Sequence, residues 1–166
     1  MFVTVKDFVA AWTHEAAATQ RVLDTLTDAS LHQKIAENHR TLGQLGWHLA
    51  ITIHEMTSRT GLEFVQAAGE EAAPESAAQI AATYRQASDA LLEAIQTQWT
   101  DSNMLQSSMM YGDEWPNGLT LDILIKHEIH HRGQMTVLMR QAGLLVPDIY
   151  GPTREGWLAM GMEPHL

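Results

Sequence analysis

The chain has 166 residues, with ten Lys plus Arg against twenty Asp plus Glu and a formal net charge of −10, a balance that argues against nucleic acid or an anionic membrane as the main partner. It contains no cysteine, which removes disulfides, a thiolate nucleophile and any Cys-based zinc site, and makes a reducing cytoplasm the simplest compartment. Met1 to Asp7 lacks the charged-then-apolar layout of a signal peptide and no apolar run approaches the ~20 residues of a membrane span, so a cytoplasmic protein forming one domain over residues 1–166 is expected.

Thr4 with Asp7 marks the start of a helix predicted over 4–27, with Val5, Phe8, Trp12, Thr19, Leu23 and Leu26 on one stripe. Glu15, at the edge of that stripe, is expected in solvent rather than behind a site. After a polar link, Thr41 and Gln44 form a capping box for a second helix, 41–60. One face of it carries Gln44, His48, Thr52 and Glu55 among Leu45, Leu49 and Met56. Buried polar groups need partners, so a face this polar reads as the wall of a site.

Gly61 to Pro74 has the composition of a connector. Ser76 with Gln79 opens a third helix, 75–98, whose inward stripe is Ile80, Tyr84, Ala87, Leu91 and Ile95. The connector is long enough to return the chain along a bundle, so the second and third helices need not be antiparallel. Trp99 to Leu119 reads as a long irregular segment, equally a strap over the bundle end or a substrate lid. Thr120 is the expected cap of a fourth helix that stops at Gly143. Ile123, Leu124, His127, His131, Met135 and Leu138 occupy one of its faces. Leu121, Ile125, Ile129 and Thr136 occupy the other, which suggests a second subunit as packing partner. A turn and a short fifth helix, 153–160, end the chain. No strand is predicted, and the fold class is all-α: a four-helix bundle with a long loop before helix four and a short C-terminal helix.

The chemistry concentrates in His127-Glu128-Ile129-His130-His131. On a helix, His127 and His131 stand one turn apart on one face, and neutral imidazole is the commonest protein ligand for zinc-like ions. A third ligand must come from elsewhere, and His48 on the polar face of helix two is the best candidate. His130 lies roughly 60° round the helix from His127 and is not expected to be a ligand. His14, His32, His39, His54 and His165 show no pairing pattern and are read as surface residues. The same run satisfies H-E-x-x-H, but Gln134 and Val137 stand where its extended form requires Gly and His. With no strand edge to hold a peptide, proteolysis is set aside.

His48 on the second helix and His127-x-x-x-His131-Arg132-Gly133-Gln134 on the fourth, with the helix order and the long 99–119 segment, resemble the DinB-like family. That family includes the YfiT-like bacillithiol transferases and is similar to mycothiol-dependent enzymes. The resemblance implies an up-down-down-up bundle and one divalent ion, zinc or nickel, on His48, His127 and His131. It also implies a homodimer in many members, and it leaves the reaction undetermined.

Three functions stay open. The first is a metal-dependent transferase that activates a low-molecular-weight thiol, which must be a cosubstrate because the chain has no cysteine. The second is a hydrolase using metal-activated water, with Glu55 on the His48 face a better catalytic base than Glu128, which points about 100° from His127. The third is a non-catalytic metal-binding protein with a stress-response role. Gln44, Arg132 and Gln134 are candidates to support the histidines from behind, though Arg132 is as readily placed in solvent or a subunit contact. The expected partners are a small-molecule substrate and a second copy of the chain, with no nucleic acid and no membrane.

Overall fold

The computed structural model describes residues 1–69 and 72–165. Its helices are α1 (Val5–Asp24), α2 (Leu42–Thr57), α3 (Ala77–Gln98), α4 (Asp101–Leu105), α5 (Asn117–Gln141) and α6 (Arg154–Ala159). The hydroxyls of Thr4, Thr41 and Ser76 accept the N–H groups of Asp7, Gln44 and Gln79, so the first three long helices start at the predicted caps. The fourth does not. Pro116 stands at the head of α5, and Thr120 lies buried inside it. The cause is Asn117, whose amide donates to the Asn103 carbonyl and accepts from the Ser108 hydroxyl, fixing the first turn of α5 to the preceding segment.

Side-chain pairings give the direction of each helix. The Trp12 indole donates to Ser88 Oγ at 3.0 Å and Gln20 to the Ala81 carbonyl at 3.2 Å, so α1 and α3 are antiparallel. Phe2 N–H reaches the Gly118 carbonyl and Arg132 reaches the Glu15 carbonyl, so α1 and α5 are parallel. Gly46 lies beside Ile80, and Glu63, just past α2, bonds Gln98, so α2 and α3 are parallel. Gly46 also lies beside Met135 while His48 meets His127, which makes α2 and α5 antiparallel. The bundle is therefore up-down-down-up, with α1 and α2 each packed on both α3 and α5. The 61–74 connector makes this topology possible by carrying the chain back along the bundle; its Glu70 and Glu71 lie outside the described residues.

Phe8, Trp12, Leu49, Ile53, Tyr84, Leu91 and Ile95 fill the interior. Leu121 and Ile125 are buried too, at 0% and 7% exposure, and Ile129 packs against the same core. The face of α5 predicted to await a second subunit is thus largely covered within the chain. A helix that packs on two neighbours and an overlying segment shows two apolar faces without needing a partner protein.

The 99–119 segment corrects the all-helical reading in detail. It folds into α4 and an antiparallel hairpin, β1 (Ser107–Met110) with β2 (Asp113–Pro116). Tyr111 and Gly112 form its two-residue turn with φ of 50° and 99°, the left-handed pair that matches strand twist. A tyrosine rarely adopts such a φ, and its side chain shows what holds it. The hydroxyl donates to Glu55 Oε2 at 2.7 Å, the ring faces the Arg59 guanidinium at 5.2 Å, and Trp115 packs against its edge. The strap is thereby pinned to the last turn of α2. Among the described residues, no helix is long and apolar enough to cross a membrane.

Candidate metal centre

The position of His48 depends on a glycine two residues before it. A Cβ at Gly46 would stand 3.0 Å from Leu23 and 3.1 Å from Ile80, so only the bare backbone lets α2 sink this deeply between its neighbours. His48 then faces the middle of α5, where His127 and His131 project from successive turns. One ring nitrogen from each of the three lies within 4.8 Å of the others, and all three residues are half-buried. His48 Nε2 and His127 Nε2 are 3.0 Å apart, and the ring centroids stand 4.5 to 4.9 Å from one another.

Electrostatics keeps these imidazoles uncharged. Burial, followed by the positive charge of Arg40 and the neighbouring imidazoles, holds His48 down at about 4. Burial, then His131 and Arg40, holds His127 at about 4 as well. His131 is lowered mainly by burial, against an upward pull from Gln134. Neutral nitrogens are what a cation requires. His131 Nδ1 lies 2.7 Å from Gln134 Oε1, an acceptor, so the proton sits on Nδ1 and Nε2 keeps a free lone pair. Among the described residues His127 Nδ1 is buried without a hydrogen-bond partner, so none of them fixes its tautomer in the same way.

This donor set fits a metal ion. Bonds of ~2.1 Å from a zinc-like ion to nitrogen, meeting at tetrahedral angles, hold the nitrogens ~3.4 Å apart. The observed 3.0 Å between His48 and His127 needs only a small ring rotation to reach that spacing.

Two clefts border the triad, one through His131 and the other through His48. One, of about 440 Å³, runs past His131 and Gln134 between Ile35, Leu45, Val137 and Leu138, with His39 and Arg40 at its edge. The other, of about 330 Å³, runs past His48 and Thr52 and is more polar, with His54, Glu55 and Arg59 in its wall. His39 and His54, read from the sequence as plain surface residues, therefore border the site region.

The remaining sequence candidates separate. Gln134 touches the triad directly. Gln44 does not: its side-chain oxygen accepts the Thr41 N–H and completes the helix cap, leaving the amide at the surface. Glu55 lines the His48 cleft, but its carboxylate is engaged by Arg59 at 2.8 Å and by Tyr111. Arg132 is buried and turns away from the histidines into α1, donating to the Glu15 carbonyl, the Thr19 hydroxyl and the Glu15 carboxylate at 2.6 Å. Glu15 is accordingly not a solvated edge residue; it is 8% exposed, and the Tyr150 hydroxyl also donates to it. Burial pulls its carboxyl upward, but Tyr150 and Arg132 together hold it below the usual range. Glu128, the base of the protease-like pattern, is buried against α3, where the Tyr84 hydroxyl donates to it, and burial pushes it up to about 7. It lines neither cleft.

Sequence reasoning missed Arg40 and Tyr111. Arg40 sits one residue before the Thr41 cap and eight before His48, a placement that carries signal only once the clefts are known. Tyr111 precedes Gly112 in a turn that lacks the usual Asn-Gly or Asp-Gly pair.

The sequence and the fold have counterparts among known proteins. The DinB family model matches residues 1–163. YrdA, a protein of Bacillus subtilis (strain 168), is 48% identical over 163 residues, which is 98% of this chain and 98% of that protein. A DinB-like protein from Bacillus cereus, known from a crystal structure, is 46% identical, with a TM-score of 0.87 over 90% of this chain and 100% of its own. YjoA, a DinB-like protein of Bacillus subtilis, is 15% identical and shares the fold, with a TM-score of 0.70 over 89% of this chain and 99% of its own. A family match across nearly the whole sequence, joined to a 48% identical full-length relative, means that this chain belongs to the DinB family.

Proposed function

We propose that this chain is a divalent-metal-dependent transferase that activates a low-molecular-weight thiol at His48, His127 and His131, with zinc or nickel as the ion. The observation that carries the reading is the convergence of three uncharged imidazoles, of which His131 lines one cleft and His48 another. A zinc or nickel ion held there supplies Lewis acidity, which lowers the pKa of a thiol or a water brought to it. The protein's own residues do the rest. Gln134 orients His131, burial keeps the three imidazoles unprotonated near neutral pH, and the apolar wall beside His131 limits water at the reacting atoms.

Two features favour thiol transfer over hydrolysis. Two clefts suit two reactants, and with no cysteine in the chain the sulfur must come from a cosubstrate. Glu55, the carboxylate best placed to deprotonate water, is held by Arg59 and Tyr111 instead. A cytoplasmic setting, where small thiols stay reduced, belongs to the same proposal. So does a homodimer, which rests on the family resemblance now that Leu121 and Ile125 are covered within the chain; sedimentation at micromolar concentration tests it.

The enzymatic test follows consumption of a small external thiol with iodoacetamide as the electrophile, with and without metal-loaded protein. The proposal expects acceleration that disappears in His48→Ala, His127→Ala and His131→Ala. Ester hydrolysis without thiol consumption would establish the hydrolase, and metal binding with neither activity would establish a non-catalytic metal-binding protein.

A further inference from the structure

The cleft beside His131 differs from the rest of the molecule in charge. The chain carries a net −10, yet among the described residues no carboxylate lines this cleft, whereas Arg40 does. Arg40 is exposed, and among the described residues no hydrogen bond or ion pair engages it, whereas Arg59, Arg85, Arg132 and Arg140 are each paired with a carboxylate. Arg40 lines the same cleft as His131 of the triad. Asn38, two residues earlier, has φ of 60° in the turn closed by the antiparallel bridge between Lys34 and Thr41, so Arg40 lies in the returning arm of that turn.

Behind that one cation the wall is Ile35, Leu45, Val137 and Leu138. A cleft of about 440 Å³, apolar along its length and positive at one edge, matches a small amphipathic anion. A planar guanidinium with free donors takes a carboxylate in a two-bond fork, while the apolar wall takes the hydrocarbon part.

We infer that Arg40 is a specificity-determining residue, and that the His131 cleft binds a substrate with a short apolar body and one carboxylate, the carboxylate on Arg40 and the body along Val137 and Leu138. This rests on the proposed function only for the word substrate. The binding site itself does not require the metal.

Calorimetric titration of the purified protein with hexanoate, hexan-1-ol and hexylamine tests it. Hexanoate is expected to bind more tightly than the other two by about tenfold or more, the usual value of a charge-assisted contact. Arg40→Ala should abolish that preference, Arg40→Lys should keep part of it, and Val137→Glu should repel hexanoate while Arg40 remains. Arg40 and Val137 are both surface residues, so these variants are expected to fold, and their melting temperatures check it. Equal affinity for hexanoate and hexan-1-ol, or unchanged hexanoate affinity in Arg40→Ala, would overturn the inference. The same titration in His48→Ala separates it from the metal reading. Hexanoate binding that survives there and still depends on Arg40 supports the inference even if no ion is ever found. Binding that needs the triad and ignores Arg40 means the carboxylate is a metal ligand, which sinks the inference and leaves the proposed function standing.

Discussion

His48 Nε2 and His127 Nε2 face each other at 3.0 Å across the interface of α2 and α5, although the two residues are far apart in sequence. Two lone pairs cannot share that distance, so either a proton or a cation sits between them. Burial holds both imidazoles down at about 4, which means that near neutral pH neither carries the extra proton that would exclude a cation.

The pH dependence follows with a definite sign. A histidine whose folded pKa lies below its unfolded value near 6.5 stabilises the metal-free fold fully above that value. The contribution is lost as pH falls from there toward about 4. Protons compete with a metal only as the folded imidazoles themselves titrate, so ion affinity is expected to be nearly constant from about pH 8 into the weakly acidic range and to fall as pH approaches about 4. Competition titrations with a chromophoric chelator across that range measure it. A fall in affinity that already sets in at about pH 6.5 would show ordinary, solvated histidines.

Gln134 holds the proton on His131 Nδ1. Removing that acceptor in Gln134→Leu is expected to weaken ion binding by roughly 10- to 100-fold, the usual cost of losing a ligand's hydrogen-bond partner. Gln134→Glu keeps the acceptor and should retain most of the affinity. Equal binding by wild type and Gln134→Leu would show that the bond is incidental.

Arg132 and Glu15 tie α5 to α1 beneath the site. Arg132→Met leaves the Glu15 carboxylate buried with its principal cation gone, at a cost of ~3–5 kcal/mol in denaturant unfolding, and combining it with Glu15→Leu should recover much of that loss. Because the Glu15 carboxyl lies below its ordinary value of 4.5, its stabilising share is present above that pH and is lost as pH falls through the folded value. Arg132→Met should therefore flatten the acid limb of the stability curve. An unchanged acid limb would assign it to other carboxylates.

Glu55→Gln separates the two chemistries. The charge of Glu55 is already shared with Arg59 and Tyr111, so the variant should change thiol consumption little and instead loosen the hairpin at Tyr111. Loss of an ester-hydrolysing activity in the variant would identify Glu55 as a base and favour hydrolysis.

Most of the bundle was legible because its signals are local. Thr4, Thr41 and Ser76 are capping residues followed by apolar stripes, and such patterns need no tertiary information. The pairing of His127 with His131 is helical spacing of the same kind. What lay beyond reach was long-range. Gln44 looked like a site residue because it shares a face with His48, yet the local cap claimed its side-chain oxygen first. Glu15 looked solvated because nothing near it in sequence foretells the guanidinium of Arg132 or the hydroxyl of Tyr150. The hairpin escaped because its strands span only four residues each and its turn places a tyrosine where Asn or Asp is usual. Arg40 became visible only when the fold laid the chain before α2 along α5.

The central claim is that His48, His127 and His131 act as one metal site. Elemental analysis of the purified protein and four variants tests it most directly. About one zinc or nickel ion per chain is expected in wild type and in His130→Ala, and loss of the ion in His48→Ala, His127→Ala and His131→Ala. Full occupancy retained in His48→Ala would contradict it.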